Sequence, residues 1–163
     1  MVKAISRYDI TTLAAVPPLW VQLAELDWPG ETAAKLRRLT NSGGALTTDL
    51  VRRLRALFPA ARVFAMYGLT EAFRSTYLDP ALIDTHPTSM GRAIPHAEIL
   101  VVTASGDIAA ADAEGELVHC GPLVAQGVLA GRRPYRRTVP ARSTGVTLWR
   151  NGGVVRRPGA AGR

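Results

Sequence analysis

The fold is decided by residues 36–71, LRRLTNSGGALTTDLVRRLRALFPAARVFAMYGLTE. This stretch predicts two short strands, Leu36–Leu39 and Arg62–Met66, with a polar, glycine-rich turn at residues 40–44 and then a helix between them. Two strands joined in this way pair in parallel, because a parallel connection needs a crossover of a dozen or more residues. The stretch therefore predicts one strand–helix–strand unit of an α/β sheet.

The helix in this unit has one apolar face and one basic face. Thr47 or Thr48 can provide its N-cap. Arg52, Arg53 and Arg55 lie mostly on one face, which is typical of a solvated helix surface. The opposite face is apolar and is expected to be buried: Leu50, Val51, Leu54, Leu57 and Phe58.

The same pattern extends toward the N-terminus and changes after residue 90. Ile10–Val16 predicts a further buried strand, and Leu19–Leu26 has the apolar spacing of a helix. His96–Thr103 and Glu116–Cys120 predict strands of an antiparallel pair, with a turn at residues 105–107 between them. The expected fold class is therefore α/β, with parallel α/β layers followed by a small antiparallel β portion.

Charge is distributed unevenly along the 163 residues. The net charge is +7, but residues 1–127 hold all 13 acidic residues and 11 of the 20 basic ones, which gives −2. Residues 128–163 hold nine arginines and no acid, which gives +9. Because the basic character belongs to this tail, the rest of the chain offers no basis for a nucleic-acid surface, and nucleic acid is not expected as a partner.

Several classes of protein are excluded by residues that the chain lacks. Cys120 is the only cysteine, so no internal disulfide or cysteine-based zinc cluster can form, and a core position is expected for it. His86, His96 and His119 are not spaced as a metal cluster, and ordinary strand or surface positions are expected. No apolar run reaches about 18 residues and no signal peptide is apparent, so we expect no membrane span and a cytoplasmic location.

Two predicted strand ends carry residues suited to a nucleotide. Ligands of open α/β sheets sit beyond the carboxyl ends of the strands. At one end, Ser42-Gly43-Gly44-Ala45 leaves backbone amides open to a flat or anionic ligand, although a plain turn would look the same. At the other end, residues 67–71, YGLTE, combine a ring, a hydroxyl and a carboxylate. These groups can stack on a base, bond a phosphate and hold Mg²⁺; a buried Tyr and a helix-capping Thr are the structural alternative.

Four segments in this order resemble the adenylate-forming superfamily of acyl-CoA synthetases, luciferases and peptide-synthetase adenylation domains. Gly43-Gly44-Ala45 matches its Gly-Gly-Ala segment, and Tyr67-Gly68-Leu69-Thr70-Glu71 matches its Tyr-Gly-x-Thr-Glu signature. Residues 91–95, GRAIP, match the glycine-containing segment near the acyl pocket, and residues 115–121, GELVHCG, match a Gly-Glu-Leu-x-x-x-Gly segment that is mainly structural. Residues 13–23 and 67–78 further resemble the AMP-forming acyl-CoA ligases associated with the exosortase A system.

This resemblance implies a two-step reaction on three small molecules. A carboxylic acid attacks the α-phosphate of Mg·ATP, which gives an acyl-adenylate and pyrophosphate, and the thiol of CoA then displaces AMP. Thr70 and Glu71 would be the catalytic pair, with Thr70 bonding phosphate oxygens and Glu71 holding Mg²⁺. The nucleotide and acyl positions would be Gly43, Gly44, Ala45, Tyr67, Gly68 and Gly91, the last leaving room for the acyl chain. Ala65 departs from the family, which often carries a polar residue two places before the Tyr, and this puts one nucleotide contact in doubt.

The resemblance stops near Gly127, where the family continues Gly-Tyr-Trp and the composition changes. We therefore expect a partial AMP-binding domain at residues 1–127 and a disordered tail rich in Arg, Gly and Pro at residues 128–163. A one-base shift lets codons for residues 128–140 read YWRDAARTAERFR, and codons for residues 150–157 read GTAVWSG followed by Asp. Both readings continue the family pattern in one frame, so the tail is expected to be out-of-frame translation, which the nucleotide sequence of the gene tests.

Other motifs of the family are missing from the sequence as given: the phosphate loop that ends in Lys, the ribose-binding Ser-Gly-Asp, the hinge, and the C-terminal domain with its catalytic lysine. The chain is therefore expected to be inactive alone, and apolar strand edges without partners are expected to make it poorly soluble. Two rival interpretations stay open. One is a non-catalytic nucleotide-binding or interaction module; the other is a basic nucleic-acid binder that acts through residues 128–163.

Overall fold

The computed structural model describes residues 1–125 and 148–156, and the backbone alone of the second range. The chain divides into two compact units. The first contains residues 1–68 and 76–92, and the second contains residues 69–75 together with the chain from residue 93 onward. The fold class is α/β, as the sequence predicts.

The first unit contains a sheet with helices between its strands, apart from Ala93, the second residue of the last strand, which is assigned to the second unit. In chain order its elements are α1 (Val2–Arg7), β1 (Thr12–Ala15), α2 (Pro17–Ala24), α3 (Gly30–Lys35), β2 (Arg38–Asn41), α4 (Thr48–Leu57), β3 (Arg62–Tyr67), β4 (Thr76–Tyr77) and β5 (Arg92–Ala93), with a short 3-10 turn at Pro80–Leu82. The strand order is β1-β2-β3-β4-β5. The first three strands are parallel, and β4 runs antiparallel to β3. The predicted strand–helix–strand pattern with parallel pairing is confirmed.

The position of β2 differs from the prediction by two residues. The sequence predicted a strand at Leu36–Leu39, whereas the pairing runs from Arg38 to Asn41, opposite Arg62 to Ala65 of β3. The chain before β2 forms α3, which the sequence pattern does not predict, and Leu36 is the C-cap of that helix. The strand continues through Thr40 and Asn41, two polar residues that the sequence pattern places in the following turn.

The amphipathic helix α4 forms as predicted, and the structure identifies its cap. The Thr47 hydroxyl accepts a hydrogen bond from the backbone N–H of Leu50 at 3.2 Å, so Thr47 and not Thr48 is the N-cap. Arg52 and Arg53 are exposed and Arg55 is half-buried. The predicted apolar positions Leu50, Val51, Leu54 and Phe58 are buried, and Leu57 is partly buried against the same core. The spacing of apolar residues in the local sequence is therefore sufficient to predict α4.

The core of the first unit lies between these helices and the parallel strands. Trp20, Leu54 and Phe58 from the helical side and Leu39 and Val63 from the sheet are almost fully buried. The prediction for the helix at Leu19–Leu26 needs one correction. Because α2 ends at Ala24, Leu26 lies beyond it and is 44% exposed, and Trp20 takes the deep position instead.

The second unit contains an antiparallel sheet of three strands, β6 (Glu98–Val102), β7 (Glu114–Cys120) and β8 (Leu148–Arg156), in that order. The predicted antiparallel portion is confirmed by the pairing of β6 with β7, from Glu98 opposite Cys120 to Val102 opposite Glu116. The core position predicted for Cys120 is also confirmed, since its side chain is 4% exposed.

The expectation of a disordered segment at residues 128–163 is wrong for residues 148–156. This range forms β8, which pairs along the length of β7. Its sequence, LWRNGGVVR, contains Leu, Trp and Val, which favour strands and offset the arginines on which the expectation rested. The remainder of the predicted tail lies outside the described residues, and the out-of-frame hypothesis stays a prediction.

Within the described ranges, no helix has the length and apolar character that crossing a bilayer requires.

The cap of α4 gives the first testable prediction. Thr47→Ala is expected to lower the free energy of unfolding by about 1 kcal/mol, because the backbone N–H of Leu50 loses its acceptor. The adjacent Thr48→Ala is the matched control, since Thr48 is the first residue within the helix and does not occupy the cap. Urea denaturation followed by circular dichroism measures both variants. Equal losses for the two would contradict the assignment of the cap.

Candidate functional site

The turn after β2 is exposed at the carboxyl edge of the parallel strands. Gly43, Gly44 and Ala45 are all exposed, and Gly43 has a φ of +80°. A Cβ on Gly43 would lie 3.2 Å from Val16 Cγ1, and one on Gly44 would lie 3.1 Å from Pro17 Cγ. The turn therefore passes close to the residues that directly follow β1, and its glycines are exposed.

The side chain of Asn41 is hydrogen-bonded to the backbone of this turn. Its side chain is 2% exposed, and its Nδ2 donates a hydrogen bond to the carbonyl oxygen of Gly44 at 2.8 Å. Among the described residues, Asn41 Oδ1 is buried without a hydrogen-bond partner. The sequence interpretation did not single out Asn41. The available signal was a polar amide at the end of an apolar strand, directly before a glycine-rich turn.

Tyr67 is the last residue of β3, and Gly68 follows it at the same edge of the sheet. Asn41 of β2 stands opposite Ala65 of β3, so Gly43 and Tyr67 each lie two residues beyond this pair on neighbouring parallel strands. Tyr67 is half-buried and pairs with Thr76 of β4. The structure thus brings the glycine-rich turn and the start of the signature to one edge of one sheet, as expected from the strand order.

The remainder of the signature belongs to the second unit, in which it forms a closed turn. The N–H of Leu69 donates to the carbonyl oxygen of Ala72 at 3.1 Å, and the N–H of Ala72 donates to the carbonyl oxygen of Leu69 at 3.3 Å. The carbonyl oxygen of Glu71 accepts from the N–H of Ala125 at 2.6 Å, and Ala72 forms an antiparallel bridge with Val124. We call residues 69–72 the signature turn. Within it Thr70 is exposed and Glu71 is half-buried.

A buried pair of polar side chains stands beside the signature turn. Ser75 and His119 are 4% and 1% exposed, and Ser75 Oγ lies 2.6 Å from His119 Nδ1. The Ser75 hydroxyl donates to the carbonyl oxygen of Ala72 at 2.8 Å. Burial lowers the pKa of His119, which keeps the ring neutral. His119 occupies a strand as predicted, but its partner is 44 residues away and local sequence patterns carry no sign of it.

Gly91 has a structural requirement of its own. Its φ is +75°, and a Cβ at this position would overlap the carbonyl group of Tyr77 and the backbone nitrogen of Leu78. The Thr76 hydroxyl donates to the carbonyl oxygen of Met90 at 2.6 Å, which holds the same two backbone segments together. The absent side chain is therefore required for backbone packing. The acyl contact expected from the resemblance remains a separate prediction.

The thiol of Cys120 is unsuited to act as a nucleophile. Burial, and secondarily the charge of Glu98, raise the pKa of Cys120 to about 11. The reactive form of cysteine is the thiolate, so the fraction of reactive thiol at neutral pH is negligible.

A family model described as AMP-binding enzyme matches residues 1–129. The 4-coumarate–CoA ligase-like 6 protein of Oryza sativa subsp. japonica is 30% identical over 141 residues, which cover 84% of this chain and 23% of that protein. The chain thus spans about a quarter of the length of this relative.

Solved structures are also similar to this chain. The crystal structure of VinN superimposes with a TM-score of 0.78 and 30% identity, over 93% of this chain and 38% of VinN. The N-terminal subdomain of Klebsiella oxytoca NpsA superimposes with a TM-score of 0.78 over 96% of this chain and 39% of that one. At 21% identity the NpsA subdomain supports the fold alone.

The packing at Gly91 leads to a prediction about folding. Gly91→Ala is expected to lower the free energy of unfolding by about 3 kcal/mol or more, because the added methyl meets backbone that cannot rotate away. Gly43→Ala is the matched control in the same unit: it has a similar φ, but the nearest atom is a side-chain methyl at 3.2 Å. Its cost should stay near the roughly 1–2 kcal/mol of a left-handed residue with a Cβ. Urea denaturation measures both, and a Gly91 variant no worse than the Gly43 variant would refute the overlap.

The environment of His119 leads to a prediction about pH. The unfolded chain takes up a proton near the ordinary pKa of 6.5, whereas the folded chain keeps His119 neutral to lower pH. The contribution to stability is therefore complete above pH 6.5 and is lost as the pH falls below that value. His119→Asn should remove this part of the slope as the pH falls from 7 to more acid values. Free energies of unfolding at several pH values measure the slopes, and identical slopes for wild type and His119→Asn would contradict the prediction.

Proposed function

This chain belongs to the family of AMP-binding enzymes, and we propose that it contributes to the ATP-dependent activation of a carboxylic acid as an acyl-adenylate, followed by thioester formation with CoA. The observation that carries the proposal is the family match over residues 1–129, which includes both the glycine-rich turn and the signature. The similarity to a CoA ligase-like protein of rice supports the choice of CoA as acceptor. The carboxylic acid itself is left unspecified.

We propose that the glycine-rich turn and Tyr67 contact the nucleotide. Gly43, Gly44 and Ala45 expose backbone at the carboxyl edge of β2, which is where open α/β sheets bind ligands. Tyr67 offers a half-buried ring at the end of the neighbouring strand. We propose that Gly68 borders the nucleotide beside Tyr67 and that Gly91 borders the acyl chain.

We propose that Thr70 bonds phosphate oxygens and that Glu71 holds Mg²⁺. Within the described residues, no group of three His, Cys, Asp or Glu side chains could hold a metal ion. A single carboxylate nevertheless fits Mg²⁺, which keeps several waters and takes other ligands from the phosphates of its nucleotide. The cation would supply charge neutralisation at the phosphates. The part of the protein is to position Thr70 and Glu71, because catalysis of this type rests on placement and electrostatics rather than on a nucleophilic side chain.

Separate roles for Thr70 and Glu71 can be tested by binding. Thr70→Val is expected to weaken ATP binding about tenfold with or without Mg²⁺, because a hydrogen bond to a charged phosphate is lost. Glu71→Gln is expected to weaken only the Mg²⁺-dependent part of the affinity, by a similar factor. Equilibrium dialysis with labelled ATP, in Mg²⁺ and in EDTA, measures both.

Exposed positions elsewhere provide the controls, Thr85→Val and Glu31→Gln. Neither should change the affinity for ATP. A Glu71→Gln variant that binds Mg·ATP as wild type does would overturn the metal role of Glu71. ATP–pyrophosphate exchange with a panel of carboxylic acids tests the catalytic expectation: exchange by this chain alone would contradict the expectation that it is inactive by itself. A cytoplasmic location, where ATP and CoA are supplied, accompanies the proposal.

A further inference from the structure

A series of hydrogen bonds links a residue of β7 to the signature turn. The carbonyl oxygen of Ala72 closes the turn by accepting from the N–H of Leu69, and it also accepts from the Ser75 hydroxyl at 2.8 Å. Ser75 Oγ in turn lies 2.6 Å from His119 Nδ1. A strand residue is thus linked through two hydrogen bonds to the carbonyl that closes the turn.

The number of available protons sets the donor and the acceptor in each of these two hydrogen bonds. A serine hydroxyl has one proton, and in Ser75 that proton is directed to the carbonyl oxygen of Ala72. The short contact with His119 then requires the imidazole Nδ1 to carry a proton and to donate it to Ser75 Oγ. The His119 ring therefore donates to the Ser75 hydroxyl, and the Ser75 hydroxyl donates to the carbonyl oxygen of Ala72.

We propose that His119 and Ser75 are positioning residues, which hold the signature turn in the conformation that presents Thr70 and Glu71. This inference rests on the proposed function for the roles of those two side chains. Both positioning residues are at least 96% buried, so they lie away from solvent and neither is proposed to touch the nucleotide. A buried hydroxyl without its partners would be costly, and that cost favours the turn conformation that provides Ala72 as acceptor.

Amide hydrogen exchange tests the positioning without any ligand. The reporters are the turn amides of Leu69 and Ala72 and the anchoring amide of Ala125. In the full chain, Ser75→Ala and His119→Leu should each speed exchange at these amides about tenfold, which corresponds to about 1.4 kcal/mol, because a buried hydrogen bond is lost. His119→Asn keeps a donor at the position of Nδ1 and should stay within about threefold of wild type.

A matched control separates this local effect from general destabilisation. Val118 is adjacent to His119 in β7 and is also fully buried, but its side chain has no donor. Val118→Ala should therefore destabilise the strand without a specific increase at the turn. The proposal is overturned if Ser75→Ala and His119→Leu leave exchange at the turn unchanged. It is also overturned if Val118→Ala raises it as much, or if His119→Asn fails to preserve the slow exchange.

The affinity for ATP, measured in Mg²⁺ and in EDTA, connects the turn to function. His119→Leu should reduce the Mg²⁺-dependent part about three- to tenfold, and His119→Asn should retain it. If the turn opens in His119→Leu while binding of Mg·ATP is unchanged, positioning of Thr70 and Glu71 is refuted. If wild type binds no Mg·ATP, the proposed nucleotide role fails for this chain, and exchange at the turn still decides whether His119 and Ser75 hold it.

Discussion

The parallel register of β2 and β3 is the constraint on which the first unit depends. Asn41, the last residue of β2, stands opposite Ala65, and β3 continues two residues further, to Tyr67. Two parallel strands cannot be joined by a tight turn, so α4 is needed as the crossover, and its buried face packs into the core beside the sheet. One consequence is that the glycine-rich turn and the end of β3 at Tyr67 lie at the same edge of the sheet. The polar end of β2 is stabilised there because the buried amide of Asn41 bonds the turn that follows it.

The signature after β3 is held differently, by contacts from distant parts of the chain. In the second unit the turn at residues 69–72 is fixed by Ser75, by the bridge to Val124 and by the N–H of Ala125. Thr70 and Glu71 make none of these anchoring side-chain contacts; the bonds come from the backbone and from Ser75. The side chains of Thr70 and Glu71, which are proposed to meet a ligand, can then stay available, because the conformation of the turn is maintained by other groups.

The parts of the fold that the sequence predicted are those set by local patterns. The apolar face of α4, its capping threonine and the parallel strand order follow from residues close together in the chain. The short helices α1 and α3 were not predicted, because helices of six residues are not stable by propensity and form only where tertiary contacts stabilise them. The strand β8 was not predicted either, because it forms by pairing with β7 and the arginine-rich composition of residues 128–163 does not indicate it. The pair of Ser75 and His119 was invisible for the same reason: 44 residues separate its members.

Gly91 illustrates how far a family resemblance can assign a role. A glycine in a segment near an acyl pocket suggests space left for a ligand. The structure gives a second reason for it, because any Cβ would overlap the backbone of Tyr77 and Leu78. The two reasons do not exclude each other, but the packing requirement alone is sufficient to demand glycine. Matching this position to a motif therefore supports membership of the family, whereas a ligand contact needs an observation that backbone packing does not already explain. The same standard favours Thr70, whose exposed side chain has no comparable packing requirement, as the more informative position of the two.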